Sequence, residues 1–595
     1  MPFSSKKIFK KFLKWRYQNI SNKQFINIAS TIIGLLAGLG AVILKNAVHL
    51  IQYLLEGEFI KEIHNGFYFI FPILGMFLVV LVLKYVVKKK VGHGIPSTLY
   101  AISKQKGMMP RHQMWASIFT APLTVGFGGS VGLEGPTVAT GAALGSNFAR
   151  LFHLNQTTKT LLISAAAAGA MSSIFKAPIA AIVFAVEIFS LELTLASMIP
   201  LLLASITAVL TSFFFLGDDV LLHINIEDKF LLSDVFFYMS LGVFTALVSV
   251  YFSKVYFIIG DFFRKIDNPY KRLLIGGVVL GVVVYLIPPL FGEGYETINS
   301  ILKGNVSSVI SNNVFNYNSN NILVIMLFLV GIILFKIVAT SVTFGAGGIG
   351  GIFAPTLFTG SVTGYLFAIF INYFDILGFQ VSPINFAMVG MAGLMAGVLL
   401  APLTAIFLIA EITGGYELFI PLMIVASISF IITKHFVPFN IYTAQLAKRG
   451  ELITHDKDKN VLMFLDIEKI IETDFITTTV QKNLGELLKE NVAKSSRNLY
   501  PVLDDKEHFL GIVLLDDIRS MMFNQEMYEK VKVTDVMKSA PEVIFDTDNS
   551  EKVMKKFKDS NAWNLPVVKN GKYVGFISKS KLLTAYRNKL IEVTS

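Results

Sequence analysis

The sequence predicts a polytopic α-helical membrane protein, made of two repeats of broken helices and followed by a cytoplasmic tail of tandem α/β modules. Three observations predict this class. Of the 595 residues, 53% are hydrophobic and only 16% are charged, whereas about a quarter of the residues of a soluble chain are charged. Two motifs occur twice, in the same order, within the apolar part. After Phe439 the composition changes abruptly to a charged and mixed one.

The net positive charge of the chain agrees with a membrane location. A net charge of +11 would suggest nucleic acid as the partner of a soluble protein, but in a membrane protein it marks loops that face the cytoplasm and anionic lipid. We therefore expect a lipid membrane and no nucleic acid as partner. Residues 1–24 are basic and contain no acid, which predicts a cytoplasmic N-terminal segment. The absence of cysteine excludes disulfides, thiolate metal sites and thiol catalysis.

Residues 25–445 form the predicted membrane domain, with repeat halves at about 25–215 and 230–440. Its first two apolar stretches, 25–55 and 66–87, are each long enough to span about 30 Å of hydrocarbon. The following apolar runs are shorter, and prolines interrupt them at positions 96, 122, 136 and 178. Broken backbone at membrane depth is tolerated only where protein or a wet cavity surrounds it. We therefore expect several half-helices to end inside the membrane, around a shared site.

A glycine-rich stretch at positions 126–145, GFGGSVGLEGPTVATGAALG, contains one acid, Glu134. Proline is favoured at the first helical position, so we expect a helix to begin at about Pro136. Glycines let the backbone approach a ligand, and the free N–H groups of a helix start bind anions. Glu134 would then act as a gate, because its ionised carboxylate competes with the anion and its protonated form withdraws. The alternative is an acid that only stabilises its own helix.

The repeated motifs place this stretch opposite a second one. GLEGPTVATG at 132–141 matches GIFAPTLFTG at 351–360, and APIAAIVFAVEI at 177–188 matches APLTAIFLIAEI at 401–412. Broken segments at corresponding positions of two halves indicate the substrate site of a transporter. We therefore expect the turn at Glu134 to face the turn at Phe353, in two halves that we expect to be inverted.

The tail, residues 446–595, also repeats itself. YPV is followed by GIVLLDD at 511–517, and LPVV is followed by GFISKSK at 575–581. Each unit has the order helix, strand, glycine turn, strand, helix. This pattern predicts two tandem α/β modules, at about 466–524 and 531–590.

Together these motifs resemble those of the CLC family of chloride channels and proton/chloride exchangers, with a pair of cystathionine-β-synthase (CBS) domains at the C-terminus. GSVGLEGP at 129–136 is similar to the family's G-S-x-G-x-E-G-P, and GIFAP at 351–355 to its G-x-F-x-P. GHGIP at 92–96 resembles its first anion-binding turn, and Tyr442 the tyrosine at the inner end of its pore. The resemblance covers almost the whole chain. It implies a homodimer with one pore per subunit, each subunit built from two inverted halves.

The resemblance also implies the roles of individual residues. It assigns Glu134 as the external gate. The anion-binding residues that it implies, mostly through backbone N–H groups, are His93, Gly94, Ile95, Gly132, Gly135, Ile352, Phe353, Ala354 and Tyr442.

His93 is the first departure from the family pattern. Chloride-selective members usually have serine at this position, nitrate-selecting members proline and fluoride exporters a different residue. An imidazole donates one hydrogen bond when neutral and two when protonated, so a role in anion binding remains, with pH sensitivity. The alternative is a side chain that turns away and bonds the backbone.

Ile188 is the second departure, because exchangers generally have an inner glutamate at this position. Glu187 would replace it only by facing the same cavity, and successive helical positions point about 100° apart. Since Glu411 is its partner in the repeat, we expect Glu187 to be a structural acid that caps or bonds in both halves. Lys336, in the apolar run 322–342, either attracts anions or snorkels from a helix end; we expect the structural role.

The tail carries incomplete nucleotide motifs. CBS-type modules can bind adenine nucleotides through Gly-x-x-Ser/Thr-x-x-Asp. The first module has Asp517 but Leu514 in place of the hydroxyl, and the second has Ser578 but Lys581 in place of the aspartate. An adenine nucleotide is therefore the one cofactor that the sequence suggests, and a purely structural tail is the alternative.

The function predicted from these residues is transmembrane chloride transport, coupled to protons and gated by Glu134. The alternatives are a voltage- or pH-gated chloride channel without proton coupling, and a transporter of fluoride or nitrate. An intramembrane enzyme is not expected, because acid–base chemistry with Glu134 and His93 would need a nucleophile or a metal that no spacing suggests. We expect a multi-pass protein of the cell membrane with both termini in the cytoplasm.

Overall fold

The computed structural model describes residues 3–55, 66–89, 91–92, 94–217, 222, 230–311, 321–414, 416–444, 446, 462 and 465–594. The chain divides into two compact units, Met1–Leu452 and Ile453–Ser595. Residue 445, the predicted end of the membrane domain, lies outside the described residues.

The first unit is helical throughout its described residues, apart from its turns. Its helices are α1 (Phe3–Asn19), α2 (Asn22–Leu55), α3 (Gly66–Leu81), α4 (Ile95–Lys104), α5 (Gln113–Gly126), α6 (Glu134–Leu151), α7 (Gln156–Phe175), α8 (Pro178–Phe189), α9 (Leu195–Leu216), α10 (Val235–Arg264), α11 (Pro269–Leu286), α12 (Tyr295–Leu302), α13 (Val306–Ser311), α14 (Ile322–Gly345), α15 (Phe353–Tyr373), α16 (Pro383–Leu399), α17 (Pro402–Ile412) and α18 (Phe419–Phe436).

The described residues include nine helical segments that are long and apolar enough to cross a membrane. The first two predicted spans are among them: α2 covers 25–55, and α3 continues through a π-helical turn, Val82–Val87. Helices α8, α16 and α17 are apolar but shorter. The protein is therefore a multi-pass membrane protein with several helices too short to span, as the sequence predicts.

The prolines have two different positions in these helices. Pro96 and Pro178 stand in the first turn of α4 and α8, where proline lacks no hydrogen bond that the helix needs. Pro122 instead lies inside α5, so the prediction that it breaks an apolar run is wrong. Neighbouring membrane helices and hydroxyl side chains can satisfy the carbonyl groups that such a proline frees. Helix α6 begins at Glu134, slightly before the predicted start at Pro136.

The two repeats meet symmetrically at α8 and α17. Near the C-terminus of α8, the Glu187 carboxylate accepts the N–H groups of Leu403 (3.0 Å) and Thr404 (2.8 Å) in the first turn of α17. The Glu411 carboxylate of α17 accepts those of Ile179 (3.1 Å) and Ala180 (2.8 Å) in the first turn of α8. The two helices are therefore antiparallel, and the predicted structural role of both glutamates is confirmed.

Close packing fixes the centre of the first unit. Buried aliphatic side chains from α2, α3 and α5 surround the turns before α6 and α15, where Val131, Leu133 and Ile349 are almost completely buried. Glycines allow the flanking helices to approach: a Cβ atom on Gly364 of α15 would overlap the carbonyl of Phe386 in α16. The turns that carry the predicted site are thus held by a dense core.

The second unit contains two three-stranded sheets with the same topology. In each, the first strand pairs in parallel with the second, which pairs antiparallel with the third. Each sheet has its own apolar core. Glu472, ahead of the first sheet, pairs with Phe576 in the second. The elements are β1 (Thr478–Thr479), α19 (Leu484–Glu486), a π-helical turn (Leu487–Val492), β2 (Leu499–Leu503), β3 (Phe509–Leu514), α20 (Leu515–Ile518), α21 (Met527–Lys530), α22 (Val533–Val536), β4 (Ile544–Phe545), α23 (Ser550–Ser560), β5 (Asn564–Lys569), β6 (Lys572–Ser578) and α24 (Lys579–Thr594).

Candidate anion site

The turns before α6 and α15 contact each other directly. The Gly132 N–H donates to the carbonyl of Gly351 (2.9 Å), and the Gly351 N–H donates to the carbonyl of Gly132 (2.7 Å). This antiparallel pair joins the two repeats where their helices begin. The turn at Glu134 thus faces the turn at Phe353, as the repeat predicts. Two helix N-termini converge there, and the first N–H groups of a helix have no partner within the helix itself.

A third helix start joins them. Gly94, just before α4, has φ +56°, and a Cβ atom there would lie 3.0 Å from the carbonyl carbon and oxygen of Gly135. Glycine is therefore needed at position 94 for both its backbone conformation and its close approach. Ile95 follows as the first residue of α4 and is buried. His93 lies outside the described residues.

The Glu134 side chain is completely buried and folds back over this junction. Its Oε1 accepts the hydroxyl of Tyr295 at 2.7 Å. Its Oε2 lies against Gly132, so closely that a Cβ atom on Gly132 would overlap it. Oε2 has no hydrogen-bond partner among the described residues, and the Ala354 N–H lies near the carboxylate. The carboxylate therefore lies at the helix starts where an anion would bind.

Phe353 and Tyr442 supply the other predicted side chains. Phe353 begins α15, directly after Ile352, and its buried ring packs against Phe175 and Phe184, with centroid distances of 5.9 and 5.7 Å. Tyr442 is 5% exposed, and its hydroxyl has no hydrogen-bond partner among the described residues. Tyr442 and Glu134 interact electrostatically. A buried hydroxyl without a partner suits an anion, which would accept its proton in a hydrogen bond.

Two residues that the sequence analysis missed belong to this site. The Tyr295 hydroxyl donates to the Glu134 carboxylate, and Glu293 Oε1 accepts the N–H of Leu133 at 3.0 Å. A signal for them exists, because FGEGY at 291–295 has an acid next to glycine, as does GLEGP at 132–136.

The prediction that Lys336 snorkels from a helix end is wrong. It lies within α14 and is completely buried. Its Nζ donates to the carbonyl of Gly292 at 3.0 Å and stands 4.6 Å from the ring centroid of Phe358. The sequence shows no acid near Lys336, because Glu293, with which it interacts electrostatically, lies on a separate segment. Lys336 is thus a buried lysine close to the candidate site.

Ile188 occupies the position of the predicted inner relay. It is buried, with 6% of its surface exposed. The neighbouring Glu187 uses both carboxylate oxygens on the first turn of α17, and Oε2 also accepts the hydroxyl of Thr404 at 2.6 Å. Both carboxylate oxygens of Glu187 are therefore bonded to the start of α17.

In the second unit, the two candidate nucleotide residues have separate partners. Asp517 pairs with Lys538 at 2.7 Å. The Ser578 hydroxyl donates to Glu472 at 2.6 Å, and Glu472 also pairs with Arg497. Asp517 Oδ2 has no hydrogen-bond partner among the described residues, and nucleotide binding stays a prediction.

Comparisons with known proteins match both units. The model of the family described as "Voltage gated chloride channel" matches residues 74–434, and the CBS domain model matches residues 533–588. The H(+)/Cl(-) exchange transporter ClcA of Vibrio cholerae serotype O1 is 29% identical over 413 residues, which cover 66% of this chain and 83% of that protein. A putative chloride channel protein, ClcB-like, from Ralstonia nicotianae is 28% identical over 386 residues, covering 64% and 85%.

Solved structures share the fold. A slow cyanobacterial Cl-/H+ antiporter superposes with a TM-score of 0.61 at 22% identity, covering 72% of this chain and 99% of that one. A CLC-type fluoride/proton antiporter gives a TM-score of 0.56 at 22% identity, with the same coverage. A eukaryotic CLC transporter gives 0.58 at 17% identity, covering 93% of this chain and 97% of that one.

Proposed function

Because the chain belongs to the voltage gated chloride channel family, the CLC family, we propose that it carries chloride across the membrane in exchange for protons. Several relatives bear the name of H(+)/Cl(-) exchange transporters. The observation that carries the proposal is the position of the Glu134 carboxylate, which is buried against the paired turns of Gly132 and Gly351.

The position of Glu134 allows one group to alternate between proton and anion. When ionised, its carboxylate takes the place of a chloride ion among the N–H groups of α4, α6 and α15. When protonated, it loses this attraction, and chloride enters against the helix starts and the Tyr442 hydroxyl. The binding of a proton and of chloride at the junction would thus be linked, which is what coupled exchange requires.

A chloride channel without proton coupling is the second candidate. It is favoured by Ile188, because the inner route lacks a carboxylate at this position and Glu187 is bound to α17. In an exchanger, a file of water would have to deliver the proton from that side. A transporter of fluoride or nitrate stays an alternative because of His93.

The Glu134→Gln variant tests the gate. Gln keeps the shape of the side chain but carries no negative charge and does not titrate. In vesicles loaded with chloride, we expect its chloride flux to persist and to lose its dependence on pH, while proton movement falls to the background. The control is Glu417→Gln, which changes an exposed acid. If the variant kept the pH dependence of the wild type, Glu134 would not be the gate.

The same proposal includes an assembly and a location. We propose a homodimer with one pore per subunit in the cell membrane, with both termini in the cytoplasm and no enzymatic activity. The basic segment at residues 1–24 supports the orientation of the N-terminus. The mass of the purified protein in detergent tests the dimer, and labelling of single cysteines introduced near each end tests the orientation.

A further inference from the structure

A second carboxylate lies beside the gate. Glu293 Oε1 accepts the N–H of Leu133, the residue next to Glu134, at 3.0 Å. Glu134 itself is completely buried, whereas Glu293 is partly exposed. The Glu134 carboxylate is thus fully covered by protein, whereas Glu293 is only partly covered.

A small cavity lies between Glu293 and Tyr295. Its volume is about 20 Å³, and it is lined by the polar residues Lys45, Thr137, Glu293 and Tyr295 together with apolar side chains. A cavity holds one water molecule from about 10–15 Å³ upward if two to four polar partners line it. The Tyr295 hydroxyl donates to Glu134 Oε1 at 2.7 Å. A water in the cavity would therefore stand between Tyr295 and Glu293.

Glu293 is surrounded by groups that have opposite effects on its protonation. The titratable groups that face it are Glu134 from α6, Tyr295 from α12, Lys45 from α2 and Lys336 from α14. The two lysines favour the ionised form of Glu293, and an ionised Glu134 opposes it. When a proton moves from Glu293 to Glu134, the negative charge thus moves from Glu134 to Glu293, close to the two lysines.

We propose that Glu293 exchanges protons with Glu134 through Tyr295 and one water molecule in this cavity. Tyr295 gives its hydroxyl proton to Glu134 Oε1 and takes one from the water, and the water takes one from the protonated Glu293. Tyr295 and the water end neutral, Glu134 is protonated and Glu293 is left as a carboxylate. This route rests on the proposed function, since it supplies the proton that the gate needs.

The route opens on the membrane side opposite the basic N-terminal segment. Lys45, which lines the cavity, stands 23 residues after Asn22, the first residue of α2, or about 35 Å along the helix at 1.5 Å per residue. That distance is roughly the thickness of the hydrocarbon core. Protons would therefore reach Glu134 from this side through Glu293, whereas transfer between Glu134 and the inner side would still have to pass Ile188.

The test compares Glu293→Gln with the wild type in vesicles, with chloride flux and proton flux measured together. Gln keeps an oxygen that can accept the Leu133 N–H but does not carry a proton. We expect chloride flux to persist and proton flux to fall by about a hundredfold, the lower end of what a positioned proton-transfer group contributes. Tyr295→Phe should lower proton flux in the same way. Glu293→Asp keeps a carboxylate and should therefore have a higher proton flux than Glu293→Gln. The matched control is Glu296→Gln, which removes an exposed acid on α12, three residues after Glu293.

Each result decides one of the two proposals. An unchanged ratio of protons to chloride in both Glu293→Gln and Tyr295→Phe would overturn the route while leaving coupled exchange intact. If the wild type moved chloride without protons, the exchange would be wrong. The proton route would then be tested by measuring how chloride flux depends on the pH on the side of the membrane where Lys45 lies. Loss of this dependence in Glu293→Gln would support the route, and an unchanged midpoint would overturn it.

Discussion

The Tyr442 hydroxyl is a buried donor whose partner is missing from the described part of the chain. We predict that Tyr442→Phe weakens chloride binding by about tenfold or more, because a hydrogen bond to a charged group contributes roughly 1.5–3 kcal/mol. Folding stability should not fall, since the hydroxyl bonds no described group. Calorimetric titration of purified protein with chloride measures the affinity.

A matched control separates this effect from a general loss of a hydroxyl. Tyr251 is another membrane tyrosine, and its hydroxyl donates to the carbonyl of Leu334 at a long 3.5 Å. Tyr251→Phe should leave the chloride affinity unchanged. Equal affinities in Tyr442→Phe and the wild type would remove Tyr442 from the anion site.

At the level of single residues, the sequence predicted some members of the site and missed others. Glu134, Gly132 and Phe353 were found because they stand in motifs that occur twice. Glu293 and Tyr295 were missed because their hydrogen bonds, to Leu133 and Glu134, join segments that are far apart in the chain. Lys336 was misjudged for the same reason: hydropathy indicates that a lysine is in a span but not whether it is buried or which segment it meets.

At helices α8 and α17, the two reciprocal glutamates provide a prediction about stability. We expect Glu187→Ala to lower the free energy of unfolding by about 1–3 kcal/mol, because the N–H groups of Leu403 and Thr404 lose their acceptor. Glu411→Ala should have a similar effect through Ile179 and Ala180. Unfolding of the purified protein in mixed micelles measures both.

The control for this pair is Glu417→Ala, which changes an exposed acid close to α17 in the chain. It should leave the stability unchanged. If Glu187→Ala were as stable as this control but lost proton transport, Glu187 would act in proton transfer and not in bonding the helix start.

The broken helices were predictable to the extent that local chemistry decides them. The interruptions predicted at Pro96 and Pro178 coincide with the starts of α4 and α8. The same prediction failed at Pro122, where the helix continues through the proline. Whether neighbouring groups satisfy the carbonyls that a proline frees depends on packing, which the local sequence does not contain.

For the molecule as a whole, the predicted architecture was based on the repeated sequence motifs. Two motif pairs predicted two halves whose helix starts meet, and the pairing of Gly132 with Gly351 agrees with this. In the tail, repetition predicted two α/β modules, and two sheets of equal topology are present. The bonds of Asp517 with Lys538 and of Ser578 with Glu472 were not predictable, because both partners lie outside the repeated motifs.

The direction of proton movement tests the central claim most directly. Vesicles containing the full chain are loaded with chloride, diluted into chloride-free buffer at the same pH, and held at zero voltage with valinomycin and potassium. As chloride leaves, coupled exchange predicts that protons enter and the interior acidifies without any initial pH gradient. Vesicles with Glu134→Gln should release chloride without this acidification. Chloride release from the wild type with no movement of protons would contradict the account and make the protein a channel.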